Sequence, residues 1–153
     1  MPDLITNDTE DERVSSAYDY EVECAPLFSD NGPTRFFGTR RKDTGEIFAT
    51  VTSAYEVLQN RQLVEAAEAA FRAKGMTGWR RKVVVTYGGA RCYVIYDFPG
   101  IGGRVAGQDL TFRLKIQNSF DGTIRASFVV GLFRLICSNG LAMPVGTLNL
   151  TPK

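Results

Sequence analysis

The sequence contains no histidine, three cysteines and one tryptophan, and these scarcities restrict its chemistry. Without histidine the chain lacks the commonest general base and the commonest metal ligand, which excludes Ser-His-Asp and Cys-His catalysis. The cysteines Cys24, Cys92 and Cys137 are odd in number and widely spaced, and no secretion signal precedes them. This pattern predicts free thiols rather than a disulfide framework. Cys92 and Cys137 have apolar neighbours, and we expect both to be buried.

Long hydrophobic runs are also absent, since no apolar stretch approaches the roughly 20 residues that span a bilayer. The hydrophobic fraction of 44% and the charged fraction of 23% are ordinary for a soluble globular protein. A chain of 153 residues is long enough for one domain with a sizeable core. We therefore expect a cytoplasmic protein that does not contact membranes.

The net charge of +1 hides a strong asymmetry along the chain. Residues 1–30 hold nine acids and one base, a net charge of −8, whereas residues 31–153 hold seventeen bases and eight acids, a net charge of +9. A basic body with an acidic arm is typical of proteins that handle nucleic acid, and a solubilising tail is the alternative. Residues 1–17 are polar and acidic, which predicts a disordered arm before a single α+β domain over residues 18–153.

The clearest structural pattern is a hairpin over residues 110–132. Apolar and polar residues alternate in its first arm, which is the period of a β-strand with one buried face. The apolar set is Leu110, Phe112, Leu114 and Ile116, and the polar set is Thr111, Arg113, Lys115 and Gln117. Asp121-Gly122 supplies the turn, and the second arm places Phe128, Val130 and Leu132 on one face.

The other segments complete an α+β fold, an antiparallel β-meander with helices packed on one face. Strands are predicted over residues 34–42, 47–51, 83–87, 91–98 and the hairpin arms. Residues 18–28, which Pro26 interrupts, are predicted to form an edge strand or an extended arm. A helix is predicted from Asn60, as N-cap, to Lys74, with Gly75 ending it. Ser53 and Glu56 form a capping-box pattern that predicts one further helical turn. A last helix is predicted over residues 134–143, stopped by Pro144.

Two clusters combine basic and aromatic residues, at 35–42 and 79–82. Such mixtures bind single-stranded nucleic acid, because cations meet phosphates while rings stack on bases. A solvated charged face is the alternative for the cations, and a core position is the favoured interpretation for Phe36, Phe37 and Trp79. The polar face of the meander adds Arg81, Arg113, Lys115 and Arg125 where the register permits.

Two other chemistries have weaker support. The glycine-rich segment 100–103 is not followed by a lysine-serine or lysine-threonine pair or by a predicted helix, which favours a flexible loop over a phosphate loop. Three aspartates, Asp97, Asp109 and Asp121, could form a magnesium cluster for a nuclease. Their places at strand ends and in a turn instead favour solvated carboxylates, so we predict no metal, no cofactor and no enzymatic activity.

Four segments, 41–47, 55–60, 117–123 and 134–141, resemble a phage and plasmid family catalogued as domain of unknown function 932. The similarity spans about residues 26–141. It implies a protein of a phage or mobile element in a bacterial host cell, and it implies no particular chemistry.

The order of a helix, Gly78-Trp79, a meander and a final helix is similar to the Rad-fifty-two single-strand annealing superfamily. This resemblance implies a homo-oligomeric ring or filament that acts in DNA recombination, with basic residues of the meander on the DNA backbone. With the first basic cluster, it gives eight candidate nucleic-acid-binding residues: Arg40, Arg41, Lys42, Arg80, Arg81, Lys82, Arg113 and Lys115.

The leading hypothesis is therefore a non-enzymatic protein that binds single-stranded DNA, with promotion of strand annealing as a further activity. The alternative is a counter-defence or interaction protein whose acidic N-terminal arm mimics nucleic acid. A nuclease that uses Asp97 or Asp109 is the third.

Overall fold

A computed structural model describes residues 15–99, 101, 104–105, 108–135 and 142–150, and these form two antiparallel sheets, one α-helix and a short 3-10 helix over Tyr87–Gly89. The elements in chain order are β1 (Val22–Ser29), β2 (Gly32–Arg41), β3 (Ile47–Val51), α1 (Asn60–Ala73), β4 (Arg80–Thr86), β5 (Arg91–Phe98), β6 (Arg104–Val105), β7 (Gln108–Ser119), β8 (Ser127–Leu135) and β9 (Ala142–Leu150). The smaller sheet has the order β1-β2-β3. The larger has the order β4-β5-β7-β8-β9, and β6 pairs with β7. The predicted antiparallel α+β class is confirmed.

The two faces of the six-stranded sheet follow the alternation of the sequence. Opposite residues of neighbouring strands share a face, and Tyr96 pairs with Leu114 while Ile95 pairs with Lys115. The face that carries Val94, Tyr96 and Ile116 is buried, and we name it the inner face. The predicted split of β7 into apolar and polar sides is therefore confirmed.

Helix α1 covers the inner face with its apolar stripe. Its buried residues include Leu63, Val64, Ala67 and Phe71, which recur at helical spacing. The Phe71 ring lies edge-on to Tyr96 and Phe98, with centroid distances of 5.0 and 4.9 Å. Among the described residues one α-helix thus packs on this face, whereas the prediction was of more than one helix.

The start of α1 differs from the prediction. Gln59 is the N-cap, its backbone N–H donates to Gln62 Oε1 at 2.9 Å, and Asn60 is the first helical residue. The Gln59 side-chain amide also pairs with both backbone groups of Val22, which fixes β1 to the helix. Ser53 does not begin a helix. Gly75 does follow the helix in the left-handed conformation, with φ +67°.

The smaller sheet docks on the turns of the larger one. The buried Thr39 hydroxyl donates to Phe120 O at 2.6 Å, and the Phe48 and Phe120 rings stack at 6.4 Å. Tyr20, which lies two residues before β1, donates its hydroxyl to Gly89 O at 2.7 Å. These contacts extend the core beyond the helix and hold the β4–β5 turn in place.

The predicted helix over residues 134–143 is wrong where the structure describes it. Arg134 and Leu135 continue β8, and they pair with the first residues of β9, Met143 and Ala142. Pro144 is accommodated opposite Phe133, next to a register shift, in the outermost strand of the sheet order. Strand pairing at both ends of this segment overrides the local helical pattern.

Candidate nucleic-acid interface

The basic cluster at the end of β2 is largely neutralised within the fold. Arg40 Nη2 lies 2.6 Å from Glu23 Oε1, and Lys42 Nζ lies 2.8 Å from Glu21 Oε2. The pKa of Glu21 is lowered and that of Lys42 is raised, because the two side chains hydrogen-bond and attract each other. Part of the acidic excess of the N-terminal segment is therefore used in pairing with candidate DNA-binding residues.

Arg41 holds two turns together. Its guanidinium binds both carboxylate oxygens of Asp43, at 2.7 and 3.0 Å, and donates to Gly88 O at 3.0 Å. It also lies 4.2 Å from the Tyr20 ring centroid. Only 19% of the side chain is exposed, so Arg41 is a structural residue of the junction between the sheets.

Arg81 lies on the inner face, which corrects its predicted place on the polar face of the meander. Its side chain is 7% exposed and forms an ion pair with Glu68 of α1. Its Nε donates to Ser15 O at 2.7 Å, and the Tyr18 and Trp79 rings flank it. Burial alone would lower the pKa of Arg81, but the neighbouring Tyr18 and Glu68 outweigh it and the pKa is raised. Arg81 therefore joins strand, helix and N-terminal segment, and its burial leaves no room for a phosphate.

The opposite face of the six-stranded sheet, which we name the outer face, holds the remaining candidates. In the strand register Asp97 of β5 lies opposite Arg80 of β4 on one side and opposite Arg113 of β7 on the other. The Arg113 guanidinium makes a bidentate contact with the Asp97 carboxylate, at 2.6 and 3.0 Å. Arg113 is thus placed on the predicted face, with its charge partly neutralised.

One row further along the strands, Lys82 and Lys115 flank Ile95. Arg80 and Lys82 are exposed and Lys115 is half-buried, and none of the three has a carboxylate partner among the described residues. Same-face residues of one strand are about 7 Å apart, and β4 and β7 are separated by two strand spacings, about 10 Å. These three cations therefore form a compact patch on one face of the sheet.

Ile95 of β5 lies between Lys82 and Lys115, and Tyr93 lies in the next row, between Val84 and Gln117. Sequence reasoning missed both β5 residues. Both are half-buried and neither belongs to the hydrophobic core, although β5 has a paired strand on each side. Lys115 Nζ lies 6.0 Å from the Tyr93 ring centroid. The alternation of β5 could have found them, because Tyr93, Ile95 and Asp97 are out of phase with the buried Cys92, Val94, Tyr96 and Phe98.

Asn118, which lies in one of the segments that resemble a known family, ties the sheet to the start of the helix. Its Nδ2 donates to Leu58 O at 2.9 Å and to Asn60 Oδ1 at 3.0 Å. The family described as domain of unknown function (DUF932) matches residues 47–149, which is most of the chain. The chain belongs to the DUF932 family. No curated protein and no solved structure matches it.

Asp97 and Asp121, two of the three candidate metal ligands, contact other side chains of this DUF932 chain. Asp97 binds Arg113, and Asp121 lies 3.2 Å from Arg91 and accepts from the backbone N–H of Thr123. Burial would raise the pKa of Asp121, but the contacts with Thr123 and Arg91 outweigh it and the pKa is lowered. The described residues contain no group of three or more His, Cys, Asp or Glu placed to hold a metal. The Asp109 side chain and most of the glycine-rich segment lie outside the described residues.

The aromatic and cysteine predictions have mixed outcomes. Trp79 packs against Phe71 and Tyr96, as expected of a core residue, whereas Phe36 is 37% exposed and its predicted core position is wrong. Cys92 is buried and free, as predicted, and Cys137 lies outside the described residues. In the DUF932 chain, no described helix is long and apolar enough to cross a membrane.

Proposed function

We propose that this DUF932 protein binds single-stranded DNA through the outer face of its six-stranded sheet. The observation that carries the proposal is the grouping of Arg80, Lys82 and Lys115 on one solvent-accessible face, without carboxylate partners in the described part of the chain. The other candidates are held in ion pairs, which reduces their availability to phosphates. Binding would therefore concentrate on three or four cations.

The charge of the sheet region supports this proposal. Residues 80–153 contain ten bases, three acids and no glutamate, which gives this half of the chain a net charge of +7. Two of the three acids, Asp97 and Asp121, are already paired with arginines. A surface of this kind attracts a polyanion at long range, and phosphate contacts then displace condensed counterions.

The proposal extends to strand annealing by a homo-oligomer. β4 ends the order of the large sheet, so its outer edge is unpaired among the described strands and can accept a strand of a second copy. Arg80 and Lys82 lie on this edge strand, so neighbouring copies would continue the cationic surface. The order of helix, Gly78-Trp79 and meander in the Rad-fifty-two resemblance supports the same extension, whereas the final helix of that resemblance is not found among the described residues, since Arg134 and Leu135 continue β8 and Ala142 begins β9.

A salt series with a fluorescent single-stranded oligonucleotide, and a duplex of equal length beside it, tests the proposal. Three or four phosphate contacts to a single strand predict a slope of log K against log salt of about −2 to −3. We expect tight binding at low salt and a preference for the single strand. Absence of binding at low salt, or equal affinity for the duplex, contradicts the proposal.

A further inference from the structure

Resting on the proposed function, we propose that β5 is a base-stacking track, in which Tyr93 stacks on an unpaired base while cations of β4 and β7 contact the phosphates. Side chains that carry no positive charge then take part in recognition. The protein recognises an exposed base as well as a phosphate backbone.

The position of Tyr93 is the first support. It lies on β5, between β4 and β7, and the adjacent row of side chains places a cation on each side of β5, Lys82 on β4 and Lys115 on β7. Lys115 Nζ is 6.0 Å from the Tyr93 ring centroid, so a base on this ring would have its phosphate within reach of a cation. A half-buried tyrosine loses little conformational freedom when it stacks, because packing already restricts its ring.

A second ring lies at the end of the same row of side chains. Arg91 is two residues before Tyr93, which places it on the outer face, and its guanidinium carbon lies 4.3 Å from the centroid of the Tyr87 ring. Tyr87 is 46% exposed and has φ +53°, which is uncommon for a residue other than glycine. Such strained residues occur preferentially where a side chain must be presented for a function.

The chemistry of the track favours a single strand over a duplex. Bases in a duplex are paired and stacked inside it, so their faces cannot reach Tyr93 or Tyr87. Stacking on an aromatic side chain tolerates every base, because each base has a π-face. The track therefore predicts single-strand preference with little sequence preference, and Ile95 extends its apolar floor toward Asp97.

The test compares an oligothymidylate with an abasic oligonucleotide of the same length, using the full chain and its Tyr93→Leu and Tyr93→Phe variants. Leu keeps the apolar packing but has no ring, and Phe keeps the ring. We expect Tyr93→Leu to weaken binding of the oligothymidylate roughly 5- to 100-fold and to change binding of the abasic oligonucleotide less than about twofold. We expect Tyr93→Phe to bind both oligonucleotides like wild type. Phe28→Ala removes a ring that is 70% exposed in the smaller sheet, and it should change neither affinity.

The outcomes separate this inference from the function on which it rests. If Tyr93→Leu folds and binds both oligonucleotides like wild type, or loses both equally, the stacking track is wrong and electrostatic binding stands. If the wild-type protein binds neither oligonucleotide at low salt, the proposed function fails and the track fails with it. Thermal unfolding of each variant establishes that it is folded.

Discussion

Arg81 and Lys82 are neighbours in the sequence and lie on opposite faces of the six-stranded sheet. Arg81 is 7% exposed and paired with Glu68, whereas Lys82 is exposed and has no carboxylate partner among the described residues. The period of two separates them, because successive side chains of a strand point to opposite faces. The run of three bases at 80–82 therefore contains one residue of the core and two candidates for phosphate contact.

We expect the double substitution Lys82→Glu with Lys115→Glu to weaken binding to a single-stranded oligonucleotide at least 10-fold at low salt. Loss of two phosphate contacts should also make the slope of log K against log salt shallower by about 1.4. Stability should change little, since neither lysine has a carboxylate partner in the described structure. Fluorescence anisotropy across a salt series measures both quantities.

Arg72→Glu with Lys74→Glu is the matched control, because it makes the same charge change at two exposed positions at the end of α1. If this control weakens binding as much as the lysine variant, net charge rather than the outer face determines affinity. Arg113→Glu is a poorer test than Lys82→Glu, because it also breaks the bidentate contact with Asp97.

Glu68→Gln should destabilise the fold by about 2–3 kcal/mol, because it leaves the Arg81 charge buried without its anionic partner. The value is below that of a fully buried pair, since the Glu68 side chain is 18% exposed. The substitution also changes the acceptor of the Tyr96 hydroxyl. Urea denaturation measures the free energy of unfolding. Glu65→Gln, at an exposed position of the same helix, should cost less than about 0.5 kcal/mol, and equal effects of the two substitutions would argue against the pair.

The alternation in the sequence predicted much of the large sheet. The period of two over residues 110–117 placed Phe112 and Leu114 against the core and Lys115 on the other side, as the register of β7 shows. The same rule applied to residues 80–86 would have placed Arg81 beside Val83 and Val85 on the buried side. The three consecutive basic residues concealed the alternation of buried and exposed positions, because an arginine is rarely expected in a core.

Tertiary pairing is the part that the sequence could not predict. Glu23 and Arg40 are 17 residues apart and meet only because β1 and β2 pair in one particular register. Glu68 and Arg81 meet only when α1 packs on β4. Local patterns also could not exclude a helix over residues 134–143. Arg134 and Leu135 are in a strand because they pair with β9, which a local pattern does not show. Which cations remain unpaired, and therefore where the candidate interface lies, depends on these long-range contacts.

Burial of Cys92 should make stability fall at alkaline pH. Burial raises the pKa of the Cys92 thiol to about 12, above its ordinary value of 9.0. Above pH 9 the unfolded chain releases this proton while the folded protein holds it, so folding loses up to ~1.4 kcal/mol per pH unit until the pH reaches the folded pKa. Tyr20 and Tyr96 add to the loss above pH 10, because burial raises their pKa as well.

The measurement for Cys92 is the free energy of unfolding in urea at pH 7, 9, 10 and 11, for wild type and Cys92→Ala. The variant should be less stable at pH 7, because a buried side chain is shortened, and its stability should fall less steeply above pH 9. Parallel curves for the two proteins would mean that the thiol titrates normally in the folded state.

Deletion of residues 1–14 separates the DNA-binding proposal from the alternative in which an acidic arm mimics nucleic acid. These residues hold five acids and one base, so their removal raises the net charge from +1 to +5. The cut keeps Ser15, whose carbonyl accepts from Arg81, and the pairs of Glu21 and Glu23 with the β2 cluster, so the fold should remain stable.

If the outer face binds DNA, the deletion should tighten binding several-fold at low salt, and the difference should shrink as salt screens the added charge. Affinity for the single-stranded oligonucleotide, measured for both proteins over the same salt series, gives the comparison. Weaker binding by the shortened protein would mean that residues 1–14 contribute to the DNA site and would contradict this prediction. If the acidic arm is instead the functional part, deletion should abolish binding to its protein partner. Three acids that remain after the deletion, Asp19, Glu21 and Glu23, already pair with Arg61, Lys42 and Arg40 within the domain and could not replace the deleted ones.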